Sequence, residues 1–120
     1  MKKILISLAF ILILFSCKYK EIEKNKEISF GIINDYSKHY RSNAFTPHYS
    51  YKVNGIEYKG KYDTFFNMKY WNKYIGKSFP IVYSSINPQK SIMLITPNDF
   101  KNWGLEFPDS LNWVKDKMDW

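Results

Sequence analysis

A chain of 120 residues is sized for one domain, and its single cysteine excludes any intramolecular disulfide. The fold must therefore rest on its hydrophobic core, which a chain of this length can supply. Eighteen basic residues against 11 acidic ones give a net charge of +7, a balance that favours anionic partners such as lipid headgroups or acidic glycans.

Lys2 and Lys3 precede an apolar run from Ile4 to Phe15, broken only by Ser7. Its 12 residues would extend ~18 Å as a helix, well short of the ~30 Å hydrocarbon core of a bilayer. A charge-rich stretch follows at once. The layout is that of a cleaved signal peptide. Leu14-Phe15-Ser16-Cys17 closes the run and resembles the lipobox of bacterial lipoprotein precursors. In that family a signal peptidase cuts before a cysteine whose sulfur carries diacylglycerol, and the new amino terminus can then be acylated. Leu14 matches the bulky position, Ser16 the small one and Cys17 the lipidated one; Phe15 stands where the family usually has a small residue. The resemblance covers residues 1–17. It implies a signal peptide over 1–16, peptidase recognition through Leu14, Phe15 and Ser16, and lipid on Cys17 (palmitate among the acyl chains). It also implies a membrane-anchored place in a bacterial cell envelope, with the membrane and its face left open. Cleavage removes Lys2 and Lys3 and lowers the net charge from +7 to +5. Export argues against nucleic acid as a partner.

Residues 17–27 carry the cysteine and a mixed-charge stretch, "KYKEIEKNKE", expected as a solvated tether. A single globular domain is expected over 28–120. It opens with a β-rich segment from Ile28, bulged or bent at Gly31. "SNAFTP" is a break. In "HYSYKVNGIEYKG", Asn54-Gly55 is the preferred pair for a two-residue type I′ hairpin turn. That turn sets Val53 opposite Ile56, Lys52 opposite Glu57, Tyr51 opposite Tyr58 and Ser50 opposite Lys59, with Tyr49, Tyr51, Val53, Ile56 and Tyr58 on one face. A short helix is expected around 67–75, with Met68, Trp71 and Ile75 on one stripe and Gly76 just past its end. "SFPIVYSS" and "SIMLIT" read as an antiparallel pair across Asn87-Pro88. The unbroken apolar run Ile92–Ile95 suggests a central strand covered on both faces. Thr96 is the expected cap of a helix with Pro97 at its first position and Asp99 in its first turn, ending at Gly104. A last helix is expected after Pro108, capped by Asp109 or Ser110, with Leu111, Val114 and Met118 facing inward.

This order predicts an α+β domain: an antiparallel sheet of about five strands, able to curl into a small open barrel, with one short helix near 67–75 and others toward the C-terminus. Tyr51, Val53, Gly55 and Tyr58, then Gly76, Lys77, Phe79, Pro80, Ile81 and Tyr83, then Asn87 and Pro88, are similar to a pattern of short uncharacterised bacterial exported domains. That resemblance implies a fold and no activity.

No phosphate loop, zinc-protease, EF-hand or nucleophile-elbow motif is present. His39 and His48 flank a break and could meet across a sheet, but a zinc site takes about four ligands, so they are expected at the surface or core edge. Asp63, Asp99 and Asp109 are expected at turns and caps. We expect no cofactor, no metal and no enzymatic activity. Four Trp, ten Tyr and nine Phe are expected mostly in the core, with Trp71 and Trp103 as a possible binding surface beside polar neighbours. The expected role is a lipid-anchored binding or interaction module whose partner is an envelope protein or glycan. The alternative is an envelope inhibitor or immunity protein against a toxin or hydrolase.

Overall fold

The computed structural model describes residues 19–115. Leu14 to Cys17, Met118 and the expected signal and lipidation sites lie outside them. The fold is α+β, a curled antiparallel sheet forming a half-barrel with a few short helices. Residues 19–24 are helical (α1). The strands are β1 (Lys26–Lys38), β2 (Ala44–Val53), β3 (Ile56–Lys61), β4 (Phe66–Asn67), β5 (Ser78–Ser84) and β6 (Ser91–Met93). The helices are α2 (Trp71–Tyr74), α3 (Pro97–Asn102) and α4 (Asn112–Lys115). Single 3-10 turns, Met68–Tyr70 and Asp109–Leu111, lead into α2 and α4. Strand order is β3-β2-β1-β5-β6, with β4 pairing the start of β2.

The β2–β3 hairpin has the expected register at every pair from Val53/Ile56 to Ser50/Lys59. Asn54 and Gly55 have φ of 53° and 80°, the positive values that a type I′ turn requires. In β1 the expected distortion lies three residues further on. Gly31 pairs regularly with both Tyr51 and Phe79, and the register shifts between Ile33 and Asp35 instead. Gly31 serves close approach: a Cβ there would lie 2.8 Å from Ile81 Cδ1 and 3.1 Å from the Ser50 carbonyl oxygen. Strand β6 sits at the end of the strand order and pairs with β5, so it is not the central strand that its apolar run suggested. Met93, Leu94 and Ile95 are all buried because packing covers both their sides, not because strands flank them. The Thr96 cap is as expected: its side chain accepts from Asp99 N while Asp99 accepts from Thr96 N, a capping box with Pro97 at the start. The last helix differs, since its entry at Pro108 has no side-chain cap; Leu111 and Val114 do face inward.

The charged segment before Ile28 is not a free tether. Ile22 on α1 is wholly buried in the main core. Tyr19 packs its ring 4.6 Å from that of Trp103 and donates a hydrogen bond to the Asn102 carbonyl. Glu21 pairs with Lys90 at 2.5 Å. One apolar residue and one aromatic among the charges suffice to hold a short amphipathic turn on the domain, which composition alone could not register.

The concave side of the sheet is packed with tyrosine and phenylalanine. Tyr74 of α2 is wholly buried, stacked on Phe66 at 4.7 Å and close to Phe45, Phe79 and Trp113. Burial, reinforced by the neighbouring Tyr70, raises the Tyr74 pKa, and its hydroxyl has no partner among the described residues. Burial likewise raises the pKa values of Tyr49 and Tyr62, and for Tyr62 the adjacent Asp99 charge adds to it.

Two expectations follow. Ile22→Ala lowers stability by about 2–5 kcal/mol in urea denaturation, the range for a buried Ile emptied to Ala; a change near zero would return α1 to a tether. The three tyrosines have folded pKa values above the ordinary ~10, so their contribution is complete below that pH and is lost above it. Stability should hold steady up to pH about 10, then fall by up to ~4 kcal/mol per pH unit, ~1.4 from each tyrosine. Their tyrosinate absorbance should appear together with unfolding; full ionisation in a natively folded protein would contradict this.

Candidate functional site

Strand β1 runs 13 residues, about 40 Å of extended chain, and its two ends differ. The Lys26 end lies beside α1 and Trp103. The Lys38 end carries exposed aromatic rings. There Tyr36 turns to the concave side, edge-on to buried Phe45 at 5.7 Å and 5.9 Å from Trp71. Trp71 is 42% exposed. It opens α2, whose approach is shaped by Asn67: the Asn67 side chain accepts from Lys69 N and starts the 3-10 turn. Tyr74 then anchors α2 in the core, and Gly76 at φ 83° ends the segment, as expected. The buried residue of the expected helix is thus Tyr74, while Met68 and Ile75 are half-buried and Trp71 stays at the rim.

At the same end, Tyr40 in the β1–β2 connection is fully exposed and Phe65 is 44% exposed, its ring 5.0 Å from that of His39. His39 Nε2 lies 2.7 Å from Thr46 Oγ1. The Thr46 hydroxyl donates to the Thr64 carbonyl, so its oxygen accepts from His39, whose Nε2 therefore carries the proton. His48, two residues along β2 from Thr46 and on the same side of the strand, has its Nε2 3.1 Å from Ser37 Oγ. The two histidines have separate hydroxyl partners, and no group of three or more His, Cys, Asp or Glu among the described residues is placed to hold a metal.

Trp103 is not part of this surface. It is 8% exposed, covered by Tyr19, with Lys26 Nζ 6.0 Å from its ring centre. Like Trp71 it has an Asn beside it and a Lys two residues away in sequence; what separates the two is α1, which folds over one and not the other. Asp99 is committed to structure: Oδ2 accepts from Tyr62 Oη at 2.5 Å and from the backbone N–H groups of Ile95 and Thr96 at 3.0 Å each. Asp109 opens the last 3-10 turn, and exposed Asp63 follows β3.

The convex side of the sheet over β1–β3 carries two open depressions. One of about 430 Å³ is lined by Phe30, Ile32, Ser50, Lys52 and Glu57 among others. The other, of about 300 Å³, includes Asn34, Asp35, His48, Lys59 and Lys61. Sequence reasoning passed over Tyr36, Tyr40 and Phe65, and over this convex side. The spacing of Ile28, Phe30 and Ile32 was the available signal, but Gly31 and Ile33 on either side of Ile32 are not polar, which hides the alternation.

The aromatic end offers flat rings at a rim, supported from below by Tyr36 and Phe45, a geometry for stacking and apolar contact. No protein family, no curated protein and no solved structure matches the chain.

Proposed function

We propose that the protein is a lipid-anchored binding module of a bacterial cell envelope, held at the membrane through Cys17 and binding an envelope protein or glycan through the aromatic end around Trp71. The observation that carries the anchor is the position of Cys17. It closes a 12-residue apolar run that is preceded by two lysines, and the packed domain begins two residues later at Tyr19. A cysteine there has a use as an attachment point and none as half of an intramolecular disulfide. Two or more acyl chains make such anchoring stable, each buried CH₂ contributing about 0.8 kcal/mol. Exposed Trp71, its ring tilted against that of Tyr36 at the rim, supports the binding half of the reading, since Trp and Tyr dominate contact energetics at interfaces.

One experiment tests both halves. Mass spectrometry of the protein purified from its own membranes should show an amino terminus at Cys17 carrying diacylglycerol. The wild type should also retain a stoichiometric envelope component that the Trp71→Ala variant loses. An intact Met1 or an unmodified Cys17 would sink the anchor. Equal retention by both forms would remove Trp71 from the binding surface.

A further inference from the structure

The convex side of β1 shows three large apolar side chains to solvent. Ile28 is 47%, Phe30 66% and Ile32 51% exposed. Their spacing of two puts them on one side of the strand, in a stripe about 13 Å long. Both neighbours of β1 continue this side. Ser50 lies opposite Ile32 on β2, and Lys52 lies beside the stripe. Across the hairpin, Lys59 and Glu57 pair with Ser50 and Lys52, and Lys61 pairs with His48. On β5, Pro80 lies opposite Phe30 and Val82 opposite Ile28. Val82 is wholly buried although Ile28 beside it is half exposed. The convex side is therefore covered over the Val82–Ser84 end of β5 and bare over β1. Lys26, in phase with Ile28 on β1, reaches the ring of Trp103, so the cover at this edge is the Tyr19–Trp103 contact.

We propose that this bare stripe, with Lys26, Lys52, Lys59 and Lys61 around it, docks on an anionic bilayer surface, with Phe30 at the centre of the contact. The proposal rests on the anchored reading and follows from where the chain enters the fold. Tyr19 is packed on Trp103, leaving Lys18 alone between Cys17 and the domain. Two residue steps span at most about 7 Å. A lipidated Cys17 thus holds the headgroup layer against the edge where the stripe begins, with no tether to lift the domain clear. Four lysines against Asp35 and Glu57 on this side give it a positive balance. Apolar side chains seated among lysines match the layered chemistry of a headgroup boundary. Trp71 and Tyr36 lie on the concave side and stay accessible in this orientation.

The test uses the full lipidated protein in vesicles of phosphatidylglycerol mixed with phosphatidylcholine. A polarity-sensitive fluorophore is placed on Phe30→Cys or, as a control, on Trp71→Cys. The label at position 30 should shift to the blue and be quenched by a lipid-borne nitroxide, while the label at 71 should remain in water. Lys52→Gln with Lys59→Gln, both at exposed sites, should reduce the docked-to-free ratio by roughly thirtyfold, the effect of two lysines at an anionic surface. A water-exposed label at 30 in a protein whose mass confirms the lipid would overturn the docking and leave the anchor standing. A label at 30 that becomes protected only when an envelope protein is added would overturn it in favour of a protein partner. An unmodified Cys17 in the same mass spectrum would instead fail the anchor.

Discussion

The fold depends on the two outer strands of the sheet being drawn together from inside. Tyr49 and Tyr51 of β2 point into the concavity and reach the opposite edge. Tyr49 Oη shares a hydrogen bond with buried Ser91 Oγ on β6 at 2.9 Å. Tyr51 Oη donates to the Pro88 carbonyl at 2.5 Å in the β5–β6 turn, and Gln89 donates from that turn to the Lys59 carbonyl of β3. The rings fill the space while their hydroxyls bond the far strand, so the same residues supply core and closure. Room is made by a glycine. Gly60 lies opposite Tyr49, and a Cβ there would stand 2.5 Å from Tyr49 Cζ.

Closing the concave side in this way leaves the convex side to be managed separately. Over β6 and the Val82–Ser84 end of β5 it is covered by packing that includes α1 and the end of α3; over β1–β3 it is bare. The asymmetry places the entry of the chain, the lysines and the apolar stripe of β1 together, and leaves the rings of Trp71 and Tyr36 on the other side. In the proposed account one side meets the membrane and the other meets the partner.

Much of this was legible. The Asn54-Gly55 turn fixed the β2–β3 register residue by residue, and Thr96-Pro97-Asn98-Asp99 announced a capped helix, because both rest on local stereochemistry. The Asn87-Pro88 turn gave the β5–β6 pairing in the same way. What failed was long-range. The role of Gly31 and the place of the bulge depend on Ile81 and on both flanking strands. Whether Trp71 or Trp103 stays exposed depends on α1 folding over only one of them, and a segment with eight polar or charged residues in "KYKEIEKNKE" gives no sign that Ile22 fills the core. The convex stripe escaped notice because β1 is apolar on both sides at Ile32–Ile33.

The closure itself is most directly tested by Gly60→Ala. Its backbone is an ordinary strand, so the substitution costs little unless the Tyr49 ring must lie where the structure puts it. The account predicts a loss of about 1–3 kcal/mol in urea denaturation, the cost of overpacking a filled core, with loosened amide-exchange protection at β6. Unchanged or raised stability would contradict it, showing that Tyr49 does not press on Gly60 and that the sheet is closed by something else.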